Sequence, residues 1–253
     1  DLHPRVCRQR QMCIRDRFYY MHMEDDLPDD LLKEYELAIK KRAEHIPLQY
    51  IVGETEFMGL KFKVNSNVLI PRQDTETLVE EALKTVKPGM KVLDMCTGSG
   101  CIIISILHNV EGVKGYAVDI SKQAVNVAKE NAKLNEVPVL FERSDLFEMV
   151  TEKFDVIVSN PPYIPTDVIP QLMPEVQVFE PIEALDGKED GLYFYRKIVE
   201  QSKDYLNSGG SLMFEIGYDQ GKDVSKMMTD AGFSNVCVKK DLAGNDRVVT
   251  GML

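Results

Sequence analysis

The chain has 253 residues, of which 44% are hydrophobic and 28% charged, and a formal net charge of −11 at pH 7. That is apolar material for a full globular core with a small appendage, and the acidic balance disfavours charge-driven binding to nucleic-acid phosphates. Spanning a bilayer takes roughly 20 consecutive apolar residues, which no stretch approaches, and the N-terminus lacks the apolar run of a secretory signal, so a cytoplasmic protein is expected.

Residues 1–17, DLHPRVCRQRQMCIRDR, carry five Arg and two Asp in a chain that is otherwise acidic. The abrupt change in composition reads as a non-native or disordered tail rather than as a basic arm. Within 18–46, Leu31, Leu32, Tyr35, Ala38, Ile39 and Ala43 recur at helical spacing. One amphipathic helix is predicted between Leu27 and His45, with Pro28 and Asp29 suited to its first turn. IPLQYIVG then breaks the pattern. In EFMGLKFKV, Phe57, Leu60, Phe62 and Val64 alternate around Met58-Gly59, which predicts a hairpin inside a linker spanning 47–73. Pro71 stops that strand, and Asp74 stands where it can cap a helix carrying Leu78, Val79, Ala82 and Leu83.

Beyond KPGM the rhythm is strand, helix, strand: KVLDM, CIIISILHNV, KGYAVD, SKQAVNVAKENAKLN, VPVLFE, and later FDVIVS, SLMFEIG, FSNVCVKK and DRVVTGML. Strands alternating with helices of this length predict an α/β domain over 74–253 with a parallel sheet. The five cysteines (Cys7, Cys13, Cys96, Cys101, Cys237) form no CxxC pair and are odd in number, so neither a disulfide framework nor a metal site is expected. The four histidines lie near the terminus (His3, His22) or in predicted helices (His45, His108) and are read as tail or surface residues.

Chemistry-bearing residues gather where strands end. Asp94 closes the first core strand, and Cys96, Thr97, Gly98, Ser99 and Gly100 form a glycine-rich turn before a helix, where the backbone can approach a ligand and helix N–H groups are unpaired. Ile103 occupies the place of the third glycine of a dinucleotide-binding turn, which departs from a dehydrogenase. Asp119 ends the second strand, where a carboxylate can take both ribose hydroxyls of a nucleoside. Asp145 and Leu146 follow the third, placed to border an adenine. SNPPY (159–163) ends the fourth, on the same carboxyl edge. Its prolines stop any helix and remove two backbone donors, leaving the surrounding carbonyls as a rigid acceptor site.

The combination of Asp94-x-x-x-Gly98-x-Gly100, Asp119 and Asn160-Pro161-Pro162-Tyr163 resembles Rossmann-like S-adenosylmethionine-dependent methyltransferases that modify planar nitrogens. More narrowly, IPLQYIVG, LIPRQDTE, LDMCTGSG, AVDIS, VSNPPYIP, EPIEALDGKEDGL, FEIGYDQG and GNDRVV resemble, in that order, the release factor glutamine methyltransferase family. The resemblance implies a mostly parallel seven-stranded sheet with an antiparallel C-terminal strand and flanking helices, preceded by a helical substrate-binding domain of which 18–46 would be a remnant. It implies S-adenosylmethionine as donor and S-adenosylhomocysteine as product, bound by Asp94, Cys96 to Gly100, Asp119, Asp145, Leu146 and Asn160. The protein partner would be a class I peptide chain release factor, methylated on the glutamine of its Gly-Gly-Gln motif by a monomeric enzyme without metal, membrane or direct nucleic-acid contact.

By the same resemblance, the side-chain carbonyl of Asn160 and the backbone carbonyl of Pro161 accept the two N–H bonds of the substrate amide, Pro162 offers no competing donor, and Tyr163 packs against the glutamine. Arg72 and Glu180 would lie near the substrate. Leu146 stands where some relatives carry an aromatic residue. Two other readings remain open on sequence: an amino methyltransferase acting on adenine or guanine, and a donor-binding protein with impaired catalysis.

Overall fold

The computed structural model describes residues 17–18, 20–25 and 28–253. Residues 1–16, and with them His3, Cys7, Cys13 and most of the basic tail, lie outside the described residues, as does Leu27. The chain divides into two compact units, one ending at Glu44 and the other running from His45 to Leu253. Among the described residues no helix is long and apolar enough to cross a membrane.

The first unit carries helix α1 (Asp29–Ala43), with Pro28 at its N-cap. Acidic residues open it and Lys40, Lys41 and Arg42 close it, the charge order that complements a helix dipole. The helix is shorter than the predicted span: His45 lies beyond it with φ 66°, in the left-handed region and not in a helix.

In the second unit, the segment that breaks the helical pattern is itself a short helix, α2 (Leu48–Val52), started at Pro47 and stopped by Gly53. The predicted hairpin follows as β1 (Glu54–Phe57) and β2 (Leu60–Lys63). Its two turn residues, Met58 and Gly59, both have positive φ, as a tight two-residue hairpin turn requires. Asp74 does not cap the next helix. A 3-10 turn (Gln73–Thr75) intervenes before α3 (Glu76–Thr85), and the Asp74 carboxylate pairs with Arg247 at 3.2 Å.

The predicted strands and the two helices predicted between the first three of them are present, with three further helices: β3 (Lys91–Met95), α4 (Cys101–Asn109), β4 (Lys114–Asp119), α5 (Lys122–Leu134), β5 (Val139–Arg143), β6 (Phe154–Ser159), α6 (Pro174–Phe179), α7 (Tyr193–Tyr205), β7 (Leu206–Glu215), α8 (Gly221–Asp230), β8 (Ser234–Lys240) and β9 (Asp246–Met252). The sheet order is β5-β4-β3-β6-β7-β9-β8, parallel except for β9, which runs antiparallel to both of its neighbours. Successive residues of the central strands serve opposite faces. Val92, Val156, Val158 and Met213 pack with Leu78, Val79 and Ala82 of α3 and Ile102 to Leu107 of α4. Leu93, Ile157, Leu212 and Phe214 pack with Tyr195, Ile198 and Val199 of α7 and Val224 and Met228 of α8. Strands covered on both sides must be apolar throughout, which is why they read as unbroken hydrophobic runs. Because β4 lies on one side of β3 and β6 on the other, the chain reverses its direction of winding at β3, and a crevice opens there at the carboxyl ends of the strands.

Candidate active site

A cavity of about 550 Å³ occupies that crevice. Its wall is made by residues from each of the strand ends singled out in the sequence: Cys96, Thr97, Gly98 and Ser99 after β3, Asp119 on β4, Asp145 and Leu146 after β5, and Asn160 and Pro162 after β6. Arg72 and Thr75 close one side, and Pro181, Ile182 and Glu183 lie along the loop that follows the Asn-Pro-Pro-Tyr turn. Asp94, Gly100, Pro161, Tyr163 and Glu180 are not part of the wall.

The glycine-rich turn is held from two sides. Asp119 accepts the Gly98 N–H on Oδ2 at 2.8 Å and the Ser121 N–H on Oδ1 at 2.9 Å. Gly98 has φ 56°, and a Cβ there would meet nothing within 4 Å, so its surface is open for a ligand to approach the backbone. Gly100 serves another purpose: a Cβ on it would come within 3.2 Å of Ala128 on α5, so it sets the approach of two helices and not the approach of a ligand. Ser121 Oγ caps α5 by accepting the Ala124 N–H, which leaves the Asp119 carboxylate free of the capping role. Burial pushes the Asp119 carboxyl up, and the Ser121 and Gly98 N–H groups pull it back. The open backbone at Gly98 beside this carboxylate fits an adenosyl group bearing two adjacent hydroxyl donors.

Asp94 works from behind the turn. It is fully buried, its Oδ2 accepts Thr97 Oγ1–H at 2.6 Å, and its Oδ1 has no hydrogen-bond partner. Burial raises its pKa to about 7. Cys96 (φ 62°) and Cys101 do border the cavity, but burial drives both thiols up, that of Cys101 to about 12, so neither is a ready nucleophile. Leu146, at φ 47°, is fixed by Ser144 Oγ, which donates to the Leu146 carbonyl at 2.7 Å, and it presents an aliphatic surface to the cavity.

The two turns and the segments beside them are anchored by groups that the sequence pattern did not single out. Gln220 is 8% exposed; its Nε2 donates to the carbonyls of Tyr163 (3.0 Å) and Gly191 (3.3 Å), and its Oε1 accepts the Gly217 N–H. Asn131, fully buried on α5, exchanges hydrogen bonds with the Lys63 backbone and donates to the Ser99 carbonyl at 2.9 Å, tying the hairpin to the glycine-rich turn. Arg247 on β9 reaches both Asp74 and Asp241 and donates to the Ile216 carbonyl. Only the local strings FEIGYDQG and GNDRVV could have pointed to Gln220 and Arg247; the partners at Tyr163, Gly191, Asp74 and Ile216 lie far away in sequence.

Tyr163 packs against the core cluster that holds Tyr195 and Phe214, and it is not part of the cavity wall. Burial, reinforced by Glu215, raises the pKa of its hydroxyl. Arg72 Nη2 donates to both oxygens of Glu180, at 2.6 and 2.8 Å. The Glu180 side chain is almost wholly buried, and its pKa is raised by that burial despite the guanidinium. Arg72 and Glu180 therefore form a brace joining the segment before α3 to the loop after the turn, and Arg72 alone of the two borders the cavity.

Gly187 and Gly191 let the loop 186–191 lie directly on this turn. A Cβ at Gly187 would come within 2.7 Å of Tyr163 Cα, and one at Gly191 (φ 70°) would overlap the Tyr163 carbonyl oxygen. Gly191→Ala is therefore expected to destabilise the protein by about 1–3 kcal/mol, through an L-residue at positive φ and a backbone clash. Thermal unfolding measures it, and an unchanged midpoint would mean that the loop yields freely.

Comparison with known proteins agrees with this layout. Family models match twice: "Methyltransferase small domain" over residues 72–172 and "PrmC N-terminal domain" over residues 10–53. The solved methyltransferase of Pyrococcus furiosus shares the fold, with a TM-score of 0.57 at 21% identity over 77% of this chain and 89% of that one. The release factor glutamine methyltransferase of Clostridium acetobutylicum is 44% identical over 93% of this chain and 85% of its own length. That of Thermodesulfovibrio yellowstonii is 46% identical over 83% of this chain and 78% of its own. Identity at this level, sustained over most of both partners, shows that the chain belongs to the release factor glutamine methyltransferase family.

Proposed function

We propose that the protein transfers the methyl group of S-adenosylmethionine to the side-chain amide nitrogen of the glutamine in the Gly-Gly-Gln motif of class I peptide chain release factors. The observation that carries this reading is the acceptor corner: Asn160 and Pro162 border the cavity that the glycine-rich turn and Asp119 also line, so donor-binding and amide-binding groups share one space. Cys96 to Ser99, Asp119, Asp145 and Leu146 would hold the donor, and the bound sulfonium supplies an electrophilic methyl group.

An amide nitrogen is a weak nucleophile because its lone pair is delocalised into the carbonyl, so the protein's task is alignment and exclusion of water. Asn160 Oδ1 accepts one amide hydrogen and the Pro161 carbonyl, set just behind the cavity wall, accepts the other, pointing the nitrogen lone pair at the methyl and favouring the positive charge that grows on nitrogen. Pro162, with no N–H, brings no donor to the acceptor corner. Tyr163 contributes by fixing the turn from the core side. Arg72 and Glu180 act as the brace that keeps the wall in register. The protein acts in the cytoplasm as a monomer, on a protein substrate and not on nucleic acid.

Incubation with methyl-labelled donor and three acceptors tests the assignment. A release factor carrying Gly-Gly-Gln should be labelled on that glutamine, while duplex DNA and ribosomal RNA stay unlabelled; a factor with alanine in place of the glutamine should accept no label. Labelling of nucleic acid without labelling of the factor would overturn it.

A further inference from the structure

Glu215 is the last residue of β7 and is 1% exposed. Its strand pairs with β6 so that Phe214 lies opposite Ser159, which sets Glu215 beside Asn160 at the two strand ends. A carboxyl group there is costly to bury, its Oε2 completes no hydrogen bond, and the mechanism above has no use for it. The side chains that face it are Thr75, 2% exposed, and Asn160. Asn160 Nδ2 in turn points at Thr75 Oγ1 at 3.5 Å.

We propose that Glu215 is a positioning residue for the acceptor amide: its ionised carboxylate draws the Thr75 hydroxyl and the Asn160 nitrogen inward, and so turns Asn160 Oδ1 toward the cavity. The inference rests on the methyl-transfer reading for its consequence in turnover but not for the orientation itself. A carboxylate only accepts hydrogen bonds, so Thr75 must donate to it and present its own lone pairs to Asn160 Nδ2. Only the nitrogen end of the amide fits such a neighbour, and the oxygen end is left for the substrate. Protonation reverses the direction. Glu215 then donates to Thr75, the Thr75 proton is free to point at Asn160 Oδ1, and the amide gains a reason to flip.

The charged and titratable groups around Glu215 are Arg247 on β9, Asp74 in the 3-10 turn, Tyr163 after β6, Tyr195 on α7 and Cys101 on α4. Arg247 favours the ionised form and Asp74 opposes it, while burial dominates and brings the pKa to about 7. The two tyrosines and the cysteine are themselves held protonated by burial, so Glu215 is the group of this set that changes charge near neutrality. Because its pKa is raised, the ionised form that sets the amide is lost as pH falls through about 7.

The test uses the whole 253-residue chain, its Glu215→Gln and Glu215→Ala variants, and nitrogen-15 NMR of the Asn160 side-chain amide, assigned by its loss in Asn160→Ala. In wild type the Asn160 NH2 pair should shift with a midpoint near neutral pH, and in Glu215→Gln it should not move. Glu215→Gln is the neutral isostere of the protonated carboxyl, so its kcat on the release factor should stay near the low, acidic-pH level of wild type at every pH, with no limb at the Glu215 midpoint; Glu215→Ala should lose about tenfold or more relative to wild type above neutrality. Donor affinity should stay level in both. An Asn160 resonance that is pH-independent in wild type, or one that titrates unchanged in Glu215→Gln, overturns the proposal whether or not methyl transfer is seen. An NMR titration that behaves as expected in an enzyme inactive on the release factor would uphold the coupling and sink the substrate assignment instead.

Discussion

Replacing Asn160 by alanine is expected to lower kcat about a hundredfold or more while changing the donor dissociation constant by no more than about threefold, as for a contact strengthened in the transition state. The side chain borders the cavity at the end of β6, with its Nδ2 3.5 Å from Thr75 Oγ1. If its carbonyl accepts the substrate amide hydrogens, which become more acidic as the nitrogen acquires the methyl group, it would stabilise the transition state more than the ground state. An alternative is that Asn160 serves the donor, whose site it also faces; binding and turnover would then fall together. Single-turnover rates at saturating donor, with calorimetry on S-adenosylhomocysteine, separate the two. Equal losses would assign the residue to donor binding or to scaffolding.

The contrast between Asn160 and its supports explains what was legible in the sequence. Residues of the cavity wall sit at strand ends, and a strand end is a local event: an apolar run, then Asp119, or then Asn160 with two prolines, is visible in a window of ten residues. The sheet was legible for the same reason, since each βα unit announces itself by its own periodicity. Support residues have no such signature. Thr75 looks like an ordinary helix-start residue, and nothing local shows that it is buried at the cavity wall beside Asn160. Asn131 looks like a helical surface position until the hairpin folds over it.

The two misplacements have local physical causes. Asp74 has the right chemistry for an N-cap, but a buried guanidinium on the distant strand β9 competes for it, and the helix starts two residues later without a side-chain cap. His45 follows a run of helical spacing, yet the chain has to turn before Pro47, where a proline disfavours continued helix, and the left-handed φ at His45 makes that turn. Gly98 and Gly100 looked alike as ligand-approach glycines, and only the packing of α4 on α5 separates one from the other.

Asp119→Ala should weaken donor binding by roughly 2–4 kcal/mol, about 30- to 1000-fold, because it removes two hydrogen bonds to a charged acceptor. The geometry makes this variant ambiguous, since the same carboxylate already receives Gly98 N–H and Ser121 N–H. Alanine would therefore both delete the ribose contact and loosen the glycine-rich turn. A double-mutant cycle with the ligand resolves the two contributions. S-adenosylhomocysteine and its analogue lacking both ribose hydroxyls are titrated by calorimetry into wild type and Asp119→Ala. If Asp119 binds the ribose, loss of the hydroxyls should weaken wild-type binding by about 2 kcal/mol or more and should cost the variant little, a coupling of the size expected for hydrogen bonds to a carboxylate. If Asp119 only holds the turn, the hydroxyls will matter equally in both proteins and the coupling will vanish, and the ribose assignment would then have to pass to another residue of the cavity wall.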